Sequence, residues 1–85
     1  NLPSAGSVFK NPPGQSAGQL VEQAGLKGFT LGNAQISDKH ANFIVNRGGA
    51  TAHDVLSLMD IMQNRVYKAT GIQLEPEICI AGENG

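Results

Sequence analysis

The chain has 85 residues, a formal net charge of −1, 40% hydrophobic residues and only 15% charged ones. That length and apolar content allow one small domain with a modest core, and they argue against disorder. Six Lys+Arg against seven Asp+Glu leave no basic excess for a nucleic-acid partner, and the one cysteine, Cys79, rules out an internal disulfide. No Cys/His cluster has metal-ligand spacing, and no apolar run approaches the ~18–20 residues that span a bilayer. Asn1-Leu2-Pro3-Ser4 has neither the basic start nor the apolar stretch of a signal peptide, so the cytoplasm is the expected compartment. The low charge also points to a surface covered by a partner domain.

In chain order, Ser7-Val8-Phe9-Lys10 is a short strand candidate, and Pro12-Pro13-Gly14 is a loop. Ser16, with Gln19 three residues on, makes a capping box for a first helix that buries Leu20, Val21 and Ala24. Gly25 then Leu26 suit a Schellman ending. Phe29–Leu31 and Ala34–Ser37 alternate as strands around a Gly32-Asn33 turn or bulge, and Asn42–Asn46 is a further strand. Thr51 is an N-cap with Asp54 at N3, and Val55, Met59, Met62, Val66 and Ala69 paint one apolar stripe, widened by Leu56, Leu58 and Ile61. Gly71 ends this helix, Thr51–Thr70, in a left-handed turn. Ile72, Leu74, Ile78 and Ile80 fall at even positions of a last strand, where Pro76 demands an edge or a bulge. The expected class is α+β: two helices packed on a small mixed sheet, as a single domain.

Ser4–Pro12 is the densest chemical candidate. Gly6 allows close approach of a ligand, Lys10 adds charge, and Asn11 offers donors and acceptors, a mix suited to an anion or a nucleotide. It lacks the glycine spacing and ending of a Walker loop, and a turn-rich loop with a solvated lysine has the same composition. Asp38-Lys39-His40 is a polar turn whose histidine can meet a phosphate or a base edge, or simply face water. His53 reads as surface. Glu75 and Glu77 are paired carboxylates that can raise one another's pKa, or be solvated. Cys79 reads as an inert packed thiol, and Met59 and Met62 as core.

Four blocks then carry a resemblance. Ser4-Ala5-Gly6-Ser7-Val8-Phe9-Lys10-Asn11-Pro12, the run from Ala17 to Gly28, the run from Ala34 to Ile44, and Leu74-Glu75-Pro76-Glu77-Ile78 resemble, in order, the C-terminal substrate-binding domain of the UDP-N-acetylenolpyruvoylglucosamine reductases, the MurB family. Lys39-His40-Ala41-Asn42-Phe43 looks like the shorter, type II branch. The resemblance implies a flavoenzyme of peptidoglycan precursor synthesis. NADPH reduces bound FAD, and the flavin reduces UDP-N-acetylglucosamine enolpyruvate to UDP-N-acetylmuramate, with hydride to C3 and a proton to C2. It implies Ser7 as proton donor and Glu77 as assisting acid. It also implies Asn11, His40 and Lys10 as substrate-binding residues, Lys10 on the weaker match. The family often has an arginine two positions after the glutamate, where this chain has Cys79. Its flavin-binding domains have no counterpart here, so residues 1–85 are expected to be the substrate domain alone and inactive by themselves. The alternatives are a non-catalytic nucleotide-sugar-binding module or a protein-interaction domain.

Overall fold

A computed structural model of the chain describes residues 7–77. Its longest element forms where the caps and the apolar period agree. Helix α2, Ala52–Thr70, starts at Thr51, whose Oγ1 accepts from Asp54 N–H at 3.0 Å while Asp54 Oδ2 accepts from Thr51 N–H at 3.2 Å. These reciprocal bonds satisfy donors that the first turn would otherwise leave unpaired. The helix stops at Gly71, whose φ of +78° is left-handed and open to glycine without strain. Its buried face is Val55, Leu58, Met59, Met62 and Val66. Three residues of the expected stripe fall outside it: Leu56 is 51% exposed, Ala69 is exposed too, and Ile61 is half-buried against the core.

Helix α1, Ala17–Gln23, begins at Ser16, whose Oγ accepts from Gln19 N–H, and buries Ala17, Leu20 and Val21. Leu26 N–H donates to Val21 C=O and Gly25 N–H to Glu22 C=O, the bond pair of a Schellman ending, and Leu26 folds back fully buried.

The strands are β1 Thr30–Leu31, β2 Ala34–Ile36 and β3 Ile44–Asn46, in the order β1-β2-β3. Both pairings are antiparallel, so among the described residues the sheet is antiparallel and not mixed. The connections explain this, because a two-residue turn and a short loop reverse the chain, whereas a parallel pair needs a long crossover. In the β1–β2 turn Gly32 has φ +59°, which fits a type II′ turn with glycine first. A Cβ there would lie 2.6 Å from Asp54 Oδ1, so glycine also lets the turn sit on the start of α2. Helix α2 lies across β1 and β2, and α1 packs against α2.

Among the described residues the segments at the two ends meet in one antiparallel bridge, Phe9 with Pro76, and the part of the expected last strand from Ile78 to Ile80 lies outside them. Lys10 N–H donates to Glu75 C=O and Glu77 N–H to Val8 C=O, both at 2.8 Å. Phe9 and Pro76 are therefore a pair that exchanges no bonds, and the missing N–H of Pro76 leaves no acceptor wanting. Leu74 anchors the returning chain, buried and held through its carbonyl by Gln63 Nε2 on α2 at 2.9 Å. Val8, Phe9, Ile36, Leu58 and Met62 belong to one core. No helix among the described residues is long and apolar enough to cross a membrane.

Candidate functional site

An open cleft of about 310 Å³ lies between the chain around Ser7, the start of α1 and the turn before β3. Ser7, Asn11 and His40 all line it, together with Ser16, Lys39 and Asn42. Asn11, Lys39 and His40 are set in place by local bonds. Asn11 Oδ1 accepts from Ala17 N–H at 2.9 Å, tying the proline loop to the first turn of α1. Ser37 Oγ accepts from both Lys39 N–H and His40 N–H at 3.1 Å, which makes a tight turn after β2. Phe43 N–H donates to His40 C=O at 2.9 Å, and the two rings stand 5.6 Å apart at 49°. The histidine is exposed at the rim, with the Phe43 ring beside it.

Lys10 does not line this cleft. It borders a neighbouring one of about 160 Å³ with Pro12, Pro13, Gln73 and Glu75, and Asn11 is common to both. Glu77 lines neither. It is exposed, and the bridge to Val8 holds its main chain one residue from Ser7. Ser4–Gly6 and Ile78–Ile80, with Cys79, lie outside the described residues. His53 is exposed at the first turn of α2, and Met59 and Met62 are core. Among the described residues no three His, Cys, Asp or Glu side chains are grouped to hold a metal ion.

Asn42 is the residue that the sequence hid. Placed by its neighbours in a strand, it precedes β3 and is 6% exposed, the one buried polar side chain among the described residues. Its Oδ1 accepts from Phe9 N–H at 3.0 Å, and its Nδ2 donates to Phe9 C=O at 2.9 Å. Val8 N–H donates to its main-chain carbonyl at 2.8 Å. A polar residue directly before the apolar run Phe43-Ile44-Val45 was the available signal, but its partner lies 33 positions away.

The cleft is open and at the small end of ligand-site volumes, which start at about 300 Å³. Its lining is mostly polar, unlike the predominantly apolar clefts that enclose drug-sized ligands. The cleft's polar backbone, its lysine and its histidine instead suit part of an anionic, hydroxyl-rich ligand.

Residues 1–81 match the family described as UDP-N-acetylenolpyruvoylglucosamine reductase, C-terminal domain. The chain is 61% identical over 85 residues to a UDP-N-acetylenolpyruvoylglucosamine reductase of Heliobacterium modesticaldum, covering 99% of this chain and 27% of the relative. It is 62% identical over 82 residues to UDP-N-acetylenolpyruvoylglucosamine reductase 2 of Symbiobacterium thermophilum, covering 96% and 27%. The fold is similar to the crystal structure of the Thermus caldophilus reductase (MurB), with a TM-score of 0.67 and 53% identity over 85% of this chain and 26% of that one. The chain thus spans about a quarter of the length of the relatives it matches. With the family model matched over nearly its whole length, and relatives of this identity, the chain belongs to the UDP-N-acetylenolpyruvoylglucosamine reductase C-terminal domain family.

Proposed function

We propose that this chain is the substrate-binding domain of a reductase that uses NADPH and FAD to convert UDP-N-acetylglucosamine enolpyruvate to UDP-N-acetylmuramate for peptidoglycan synthesis in the cytoplasm. The observation that carries the reading is that Ser7, Asn11 and His40, from two separate blocks of the family pattern, line one cleft. The flavin and its hydride belong to the rest of the protein, and this chain contributes the proton. As hydride arrives at C3 of the enolpyruvyl group, C2 becomes strongly basic. The Ser7 hydroxyl is protonated at neutral pH, gives its proton to C2, and recovers one from solvent.

Glu77 assists as an acid toward the substrate carboxylate. Its support is the bridge that holds Glu77 N–H on Val8 C=O, which sets its main chain about one strand spacing, about 5 Å, from the segment carrying Ser7. Asn11 keeps its Oδ1 on α1 and contacts the nucleotide through its amide nitrogen, while His40 and Lys39 meet the diphosphate at the rim. Lys10, in the adjoining cleft, is an outer phosphate neighbour.

The test is Ser7→Ala in the full-length protein, with the two half-reactions followed by flavin absorbance. Flavin reduction by NADPH should persist, while reoxidation by the enolpyruvyl substrate should fall by several orders of magnitude. Equal rates in both half-reactions would remove the serine from the mechanism. The isolated domain is expected to purify colourless and inactive, and a yellow preparation would contradict that assignment of the flavin site.

A further inference from the structure

We propose that Asn42 is a positioning residue for Ser7, acting through the main chain of Val8 and Phe9; the inference rests on the reading of Ser7 as proton donor. The accounting of backbone groups carries it. Val8 N–H goes to Asn42 C=O, Val8 C=O receives Glu77 N–H, and both polar groups of Phe9 are taken by the Asn42 amide. All four main-chain polar groups of the two residues after Ser7 are thus satisfied, three of them by one residue 33 positions away. A primary amide presents a donor and an acceptor side by side, as a neighbouring strand would, and so replaces a strand that the sheet does not supply.

The amide is also enclosed. A Cβ built on Gly18 of α1 would sit 3.6 Å from Asn42 Cβ, so the helix closes over it at contact distance. Asn42, Gly18 and Ser7 border the same cleft, which links the clamp directly to the space that the substrate would fill. A carboxylate in place of the amide keeps the acceptor for Phe9 N–H but sets a second oxygen against Phe9 C=O. Protonation of that carboxyl restores a donor, and burial favours its neutral form.

The experiment uses the full-length protein with Ser7→Ala, Asn42→Asp and the double variant, again separating flavin reduction from flavin reoxidation. Asn42→Asp should leave flavin reduction unchanged and slow reoxidation by about 10²-fold at neutral pH, the scale of a misplacement near 1 Å. The loss should shrink as pH falls. Glu22, Lys39 and His40 are the ionisable groups that line the cleft and are common to every variant, so the profile is read as a ratio to the unsubstituted protein. In the Ser7→Ala background, Asn42→Asp should cost nothing further, because it acts through that hydroxyl. A further loss of similar size there, or reoxidation unaffected in Asn42→Asp alone, overturns the inference. Reoxidation unaffected in Ser7→Ala overturns the serine assignment and the inference with it. Hydrogen exchange of the Phe9 amide in the unsubstituted protein is a readout apart from activity and from folding of the variants. Strong protection supports the clamp, and exchange as fast as that of an exposed loop amide defeats it.

Discussion

The β1–β2 hairpin on α2 and the segment Ser7–Lys10 are both extended, and both are tied to the core by hydrogen bonds, but the bonds differ in kind. In the hairpin the strand partners are near in sequence, Leu31 facing Ala34 across Gly32-Asn33, and a remote bond of the turn runs from Asn33 N–H to Asp54 Oδ2 at 3.4 Å. In the Ser7 segment every partner is remote: Asn42 on one side and Glu75–Glu77 on the other. The hairpin can form from local turn chemistry. The segment holds its shape only after the rest of the chain has folded around it. The candidate site stands on the second kind of support, so its geometry answers to substitutions far away in sequence.

That contrast can be broken most forcefully at Phe9, fully buried at the bridge. Phe9→Ala is expected to cost about 3–5 kcal/mol in urea unfolding. Asn42→Leu comes next, at about 2–3 kcal/mol, because it strands the N–H and C=O of Phe9 in the core. Its signature is accelerated exchange of the Phe9 amide with the hairpin amides less affected, and equal acceleration in both regions would erase the difference between them. Gly32→Ala attacks the hairpin instead. It forces a side chain into a left-handed turn against Asp54, for a loss of roughly 1–2 kcal/mol concentrated in the β1–β2 amides. Thr51→Ala should remove about 1 kcal/mol by undoing the cap of α2. Leu56→Gln sharpens the comparison as a control. At 51% exposure it should change stability by less than about 0.5 kcal/mol, although its period places it beside the core stripe.

The departures from the sequence reading have a common cause. Helix α2 is 19 residues, about 28 Å long, whereas the strands beneath it are two or three residues, about 10 Å at most. The apolar period continues to Ala69, but among the described residues of the helix the buried face ends at Val66. Leu56 belongs to a stripe wider than the covering surface. At the two ends, alternation shows which residues can pair, and among the described residues the pairing is the bridge of Phe9 with Pro76.

What the sequence determined by itself is the set of local decisions. Ser16, Thr51 with Asp54, Gly25-Leu26, Gly32-Asn33 and Gly71 each act within five residues of the groups they satisfy, so their chemistry is readable without coordinates. The four motif blocks likewise carried the family, since they are properties of order and composition. The tertiary structure alone decided that Ser7, Asn11 and His40 share a cleft, that Lys10 borders the adjoining one, and that Asn42 turns inward to stand in for a strand. A buried amide costs free energy unless both of its polar groups are paired, and which groups pair with it depends on the packing of the whole chain.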